Sequence, residues 1–293
     1  MRKISIKENI ISLKPVVWIK SIFMVLIGIE TTRFGVGVGR ANKNIYYGSL
    51  IFVLISVAGM IVVYYLSERQ KGIEKHPIGY FKFIGGISAA FYGIGFGLAI
   101  YYTLIYNINS LNLFLLAFVG IFGFLSIYYG RDSKYKGILK NVVISVSFSF
   151  GVFYGAALNV TFIPITIYLF FGAVFLLQIS KDLINDCKHI DRDRRENIKS
   201  FPIFIGEEKA QKLSMILDLL IILFLVIPMF PDFPNILAQM LYTLVTIIAI
   251  AFVGVAAIFS FRMNKSRTYY RIIKIFLRCG IFLAFTAFIL ANF

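Results

Sequence analysis

The chain has little of what a soluble enzyme is usually built around. It holds two cysteines, two histidines and one tryptophan, and its 14 acids are outnumbered by 30 Lys and Arg. Cys187 and Cys279 lie far apart, with neither metal-ligand spacing nor a disulfide framework, so both are expected as packing residues. Charge is scarce: 15% of residues are charged, against about 25% in soluble domains. Polar stretches long enough for a separate soluble domain are missing. A cleaved leader is not expected either. The first apolar run, from Pro15, is followed by further runs and lacks a small-residue cleavage site.

What the chain does have is apolar. Hydrophobic residues make up 59% of its 293 positions, and the mean hydropathy is +0.83. A bilayer core about 30 Å thick takes roughly 20 apolar residues per helix. Runs of that kind fall at 16–32, 46–66, 83–104, 111–129, 139–158, 160–179, 212–230, 235–259 and 272–291. Each is apolar around its whole circumference, as a lipid-embedded helix must be. The expectation is an all-α fold, a polytopic membrane helix bundle of about nine transmembrane helices, forming a single transmembrane domain over residues 1–293. Glycines inside the runs (Gly85, Gly86, Gly93, Gly95, Gly97) are expected at helix–helix contacts, where small residues let backbones approach. The acids inside runs, Glu30 and Asp218, are placed near run ends, unlike the isolated mid-span charges of transporters.

The net charge of +16 would suggest nucleic acid in a soluble protein. Its distribution points elsewhere. Basic residues collect in alternate loops: between Arg2 and Lys20, Arg69 and Lys82, Arg131 and Lys140, Lys181 and Lys212, and Arg262 and Arg278. The intervening loops hold only Arg33, Arg40 and Lys43. Cytoplasmic loops of membrane proteins carry this excess. The expected location is therefore the cell membrane, multi-pass, with a cytoplasmic N-terminus, an external C-terminus and no nucleic-acid partner.

The chemistry-bearing stretch is residues 180–206. Asp182, Asp186, His189 and Asp193 are spaced i, i+4, i+7, i+11, one stripe of a continued helix, with Asn185 beside it. Like charges on one helix face repel by a few tenths of a kcal/mol per pair, so a stable stripe needs a cation. Carboxylates with substrate phosphates suit Mg²⁺. Arg192, Arg194, Arg195 and Lys199 follow directly, and guanidinium forks match phosphate oxygens. Taken alone, the stretch reads either as both halves of a metal–diphosphate site or as a solvated, mixed-charge helix end.

The same residues resemble the second aspartate motif of the UbiA superfamily of intramembrane prenyltransferases, a K-D-x-x-x-D-like helix end leading into D-R-x-x-x-x-K-[ST]-x-P-x-x-x-G. The matching residues are Lys181-Asp182, Asp186, Asp193-Arg194, Lys199-Ser200, Pro202 and Gly206. Residues 128–158 are similar to the family's basic loop and fifth span through Tyr129, Lys134, Lys140, Asn141 and Gly155, and Lys75-His76-Pro77-Ile78 resembles its R-P-I. The family's first motif, N-D-x-x-D-x-x-x-D, is degenerate: residues 62–72 contain no Asp, only Glu68, and Glu74 lies beyond. The resemblance implies a prenyltransferase that moves an isoprenoid chain from a prenyl diphosphate to a small hydrophobic acceptor, aromatic or lipid, within the membrane. It implies Asp182, Asp186 and Asp193 as Mg²⁺-linked catalytic acids, and Lys134, Arg194, Lys199, Asn141, His189 and Arg69 as substrate contacts. His189 stands where the family often has an acid, and an imidazole suits phosphate better than Mg²⁺. In the first loop Arg69, Lys71, Lys75 and His76 offer direct neutralisation of an oxyanion in place of a second metal site. A UbiA-type terpene cyclase and a non-catalytic isoprenoid-binding membrane protein are the alternatives.

Overall fold

The computed structural model describes residues 23–30, 32, 43–70, 78–105, 117–125, 128, 137–158, 163–195, 199–229, 236–262 and 265–290. Among them there is no strand. The helices are α1 (Lys43–Gln70), α2 (Ile78–Ile105), α3 (Ile138–Ala157), α4 (Ile165–Lys188), α5 (Ile190–Arg195), α6 (Phe201–Ile205), α7 (Glu207–Val226), α8 (Ile236–Phe261) and α9 (Arg267–Leu290). Residues 23–30 and 117–125 are helical as well. Five stretches are long and apolar enough to cross a bilayer: Lys82–Tyr101, Ile165–Lys188, Glu207–Met229, Gln239–Phe261 and Arg267–Leu290. Shorter apolar helices run over Tyr46–Gly59 and Asn141–Ala157. With the two helical stretches at 23–30 and 117–125, all nine expected runs contain helix. The chain is a multi-pass membrane protein.

Helix ends differ from the hydropathy boundaries. α4 starts at Ile165, after Pro164 in extended backbone, and continues to Lys188 rather than stopping at 179. α7 begins at Glu207 and α9 at Arg267, each five residues before its apolar run. Hydropathy reports where lipid begins, while a helix ends where its backbone hydrogen bonds end. Charged residues stay helical beyond the apolar core and reach the interface with their long side chains.

The helices fall into two compact units, residues 1–25 with 41–133 and residues 26–40 with 134–293. In the first, Ile51, Ile55, Ala99 and Val119 form a buried core. Ser88 Oγ donates to the Ala58 carbonyl at 2.8 Å, and Tyr92 Oη donates to the Val119 carbonyl at 3.0 Å. Lipid is as apolar as leucine, so helices there associate through close packing and such hydrogen bonds. Gly95 fits this expectation, since a Cβ would lie 2.9 Å from Ile55 Cδ1. Gly86, Gly93 and Gly97 show no such contact: among the described residues a Cβ on any of them would meet nothing within 4 Å.

In the second unit α4 packs against α3, α7 and α9, and α8 packs against α7 and α9. Phe170 of α4 lies against Phe288 and Phe285 of α9, with ring centroids 4.1 and 5.4 Å apart. Close approach again rests on small residues. A Cβ on Gly28 would strike the Val152 carbonyl, and one on Gly280 would lie 2.8 Å from Val253 Cγ2. A polar seam runs through this unit. Ser180 Oγ of α4 donates to Asp218 Oδ1 at 2.6 Å and lies 2.8 Å from Ser214 Oγ. Asp218 is therefore no run-end residue: it is fully buried in the middle of α7, because α7 starts earlier than the apolar run does. Cys187 is buried, as a packing residue should be, and Cys279 is half-buried.

Candidate functional site

The site is built at the polar end of α4. Asp182 and Asp186 lie on its last two turns, so the helix continues as the spacing predicts up to Lys188. It then breaks. His189 has φ −109° and ψ 13°, outside helical geometry, and the six-residue α5 begins at Ile190. The four-residue stripe is thus not one straight helix face. The break is short: the His189 amide donates to the Asp186 carbonyl at 3.1 Å and the Asp193 amide to the His189 carbonyl at 2.9 Å. Asp186 and Asp193 are both buried, at 3% exposure.

Each carboxylate has its own protein partner. Asp186 Oδ2 accepts from Asn141 Nδ2 of α3 at 3.1 Å, with Asn141 fully buried. This hydrogen bond joins residues from two separate motifs of the sequence. Asp182 Oδ2 accepts from Gln178 at 2.8 Å, and Lys181, which donates to Gln178, lies 4.0 Å from Asp182 Oδ1. Asp193 pairs with Arg192 at 3.2 Å. Among the described residues, no three of His, Cys, Asp and Glu converge as metal ligands. What the structure offers a metal is narrower. Asn141 Oδ1 is buried and, among the described residues, without a hydrogen-bond partner, on the amide that holds Asp186. A side-chain oxygen beside a carboxylate suits Mg²⁺, which keeps waters and takes its remaining ligands from substrate phosphate.

The cations follow in sequence. Arg194 and Lys199 are both exposed. Lys199 is held near α3 through its backbone: Gly137, just before α3, has φ +54°, and a Cβ there would lie 3.5 Å from the Lys199 carbonyl. The Lys-Ser-x-Pro element and the Asn141 helix are therefore neighbours. Ser200 precedes α6, which carries Pro202 in its first turn. Gly206, at φ +94°, ends α6 and starts α7. His189 is half-buried. Burial, helped by Arg192, Lys188 and Lys274 and opposed by Asp193, holds its imidazole below the usual histidine range. Lys134 lies outside the described residues. Arg69 and Glu68 sit on the last turn of α1, with side chains outside the description, and Lys71, Lys75 and His76 lie outside it altogether.

Sequence reasoning missed the support from α9. Lys274 Nζ donates to Asn185 Oδ1 at 2.6 Å, and Tyr270 Oη bonds both Gln211 and Glu207 of α7. Lys274 had a sufficient explanation in the inside-loop excess of cations, and nothing in its spacing marked Asn185 as a partner.

Residues 82–289 match the UbiA prenyltransferase family. Digeranylgeranylglyceryl phosphate synthase of Pyrococcus furiosus is 31% identical over 130 residues, covering 42% of this chain and 46% of the relative. The synthase of Saccharolobus solfataricus is 25% identical over 193 residues, covering 61% and 63%. The chain thus spans about half the length of the first relative and less than two thirds of the second. A solved structure of digeranylgeranylglyceryl phosphate synthase shares the fold at a TM-score of 0.75 and 16% identity, covering 95% of this chain and 98% of that one. A UbiA homologue from Archaeoglobus fulgidus bound to GPP and Mg²⁺ does so at 0.62 and 17%, covering 93% and 97%. The paired Asp186 and Asn141 both fall within the matched residues, and by that match this membrane protein belongs to the UbiA prenyltransferase family.

Proposed function

We propose that the chain transfers an isoprenoid group from a prenyl diphosphate to a hydrophobic lipid acceptor within the membrane. The observation that carries this reading is the buried Asp186–Asn141 pair at the polar end of α4, followed at once by Arg194 and Lys199. The relatives add support: those matched in sequence are digeranylgeranylglyceryl phosphate synthases, and one homologue of the same fold was solved with GPP and Mg²⁺. An aromatic acceptor has no comparable support.

In the reaction the allylic C–O bond breaks, and both its electrons leave with the diphosphate. The carbocation left behind is captured by an acceptor nucleophile, which then loses a proton. Asp186 and Asp193, with Asp182 one turn before Asp186, would hold Mg²⁺, which would supply charge neutralisation for the leaving diphosphate. The chain's own groups do the rest. Asn141 orients Asp186 through its amide hydrogen bond. Arg194, Lys199 and Lys134 bind diphosphate oxygens, and guanidinium forks add direction to that binding. His189 enters as a neutral imidazole and contacts phosphate as a single donor.

The N-terminus is proposed to be cytoplasmic and the C-terminus external, on the alternation of basic loops. Reporter fusions after residues 108, 135, 195, 232 and 266 should read out, in, in, out, in. Opposite sides for 135 and 195 would refute the arrangement. The function is tested with purified protein, geranylgeranyl and shorter prenyl diphosphates, and membrane lipid extracts, with and without Mg²⁺. Transfer shows as diphosphate release that depends on acceptor. Release without acceptor, yielding a cyclised hydrocarbon, would instead make the chain a terpene cyclase. Binding without release from any donor would make it a carrier.

A further inference from the structure

A cavity of about 370 Å³ opens where α4, α5 and the start of α9 meet, and every residue lining it is basic: Lys188, His189, Arg192, Arg195, Arg267 and Arg271. Lys188, Arg267 and Arg271 belong to no part of the site described above, and Arg192 and Arg195 stand at its edge, Arg192 through its pair with Asp193. His189 borders both as well. We infer that this cavity is a second anion site, which receives the phosphate monoester of a ligand at the membrane interface.

The positive-inside rule accounts for cations on this side of the membrane. It does not account for six of them around one cavity. Arg267 and Arg271 stand one turn apart at the start of α9, and Ser266 accepts a hydrogen bond from the Tyr269 amide there, as an N-cap does. Cations at a helix N-terminus oppose the helix dipole, so the pair is placed against its own helix field. An anion between them reverses that penalty. Arg192 and Arg195 face them from α5 at i, i+3 spacing. The acids nearby compensate weakly. Asp191 lies 3.9 Å from Arg267, with both side chains largely exposed, and Asp193 is shared with Arg192. His189 records the same field: burial, then Arg192 and Lys188, disfavour its protonated form.

Arginines from two helices can grip a tetrahedral oxyanion in forked pairs, which a diffuse basic surface cannot do. The volume lies at the small end of ligand pockets, roughly 300–1,000 Å³, and so is large enough for a phosphate headgroup. The cavity adjoins the ends of two membrane-crossing stretches, Ile165–Lys188 and Arg267–Leu290. A phosphate there is either the headgroup of an anionic lipid or a free phosphate ester, and both present the same dianion.

The test uses the full chain in detergent, titrated calorimetrically with inorganic phosphate and with glycerol phosphate. A second arm measures thermal unfolding in phosphatidylcholine vesicles with and without phosphatidic acid. R267A/R271A should weaken the binding seen in either arm by about tenfold or more. R267K/R271K, which keeps charge but not forks, should fall between. Arg262, exposed on the same loop beside Phe259, gives the control R262A, which should bind as wild type does. Binding of glycerol phosphate alone assigns a soluble ester, and stabilisation by phosphatidic acid alone assigns a headgroup. The inference is overturned if no anion binds in either arm, if R267A/R271A binds like wild type while unfolding at the same temperature, or if R262A loses as much. Prenyl diphosphate turnover is followed separately. Its absence would refute the transferase reading and leave phosphate binding by this cavity untouched.

Discussion

Asn141→Ala tests the site at its centre. The amide lies on α3, fully buried, and donates at 3.1 Å to a carboxylate that is itself 3% exposed. A hydrogen bond to a charged group contributes about 1.5–3 kcal/mol, and removing one partner leaves the other desolvated and unsatisfied. The magnitude belongs at the upper part of that range, because neither partner has water to replace the lost bond. At roughly 2–4 °C per kcal/mol, a loss of about 2–3 kcal/mol should lower the unfolding temperature by roughly 4–12 °C. Asp186→Asn removes the charge instead and keeps the shape. If the two groups act as one unit, the double variant should lose much less than the sum of the single losses. A coupling energy of about 0.5–3 kcal/mol is the signature of residues in contact. The assay is thermal unfolding of the four proteins in one detergent, with Mg²⁺-dependent diphosphate release measured alongside. Asn141→Ala should raise the Mg²⁺ concentration needed for half-maximal release, since Asp186 is no longer held in place. Losses that add within about 0.5 kcal/mol, or an unchanged Mg²⁺ requirement, would refute the pairing as the organiser of the site.

Gly206→Ala should destabilise by about 1–3 kcal/mol although a Cβ there meets nothing within 4 Å, because φ +94° is strained for any residue with a side chain. Circular dichroism melts check this, and an unchanged midpoint would show that the α6–α7 junction relaxes. His189 predicts a pH effect. Its folded-state pKa is lowered, first by burial and then by Arg192 and Lys188, so protonation favours the unfolded chain. Its stabilising contribution is complete above about pH 6.5 and is lost as pH falls from there towards the folded value. Wild type should therefore lose more stability than His189→Gln between pH 7 and pH 5, and parallel curves would contradict the assignment.

Much of this protein is determined by its sequence alone. Nine apolar runs in lipid must be helices, because no water is present to satisfy an open backbone. The stretch from Asp182 to Gly206 could be marked as chemistry-bearing from its carboxylates, arginines and Lys-Ser-x-Pro pattern, and the family match covers it. Gly95 was legible as a packing residue, but Gly86, Gly93 and Gly97 were not separable from it, since a residue's face is settled only by its neighbours. The tertiary structure decided the rest. Asn141 met Asp186 because α3 packs on α4, across 45 positions of chain. Local spacing extended one helix through Asp193, whereas the helix ends at Lys188 and each carboxylate has a different partner. Arg267 and Arg271 looked like ordinary inside-loop cations until α9 brought them against Arg192 and Arg195. Periodicity is a property of one helix, and composition is a property of the chain. A site, by contrast, is made of distances between helices, and those are set by packing that no single segment encodes.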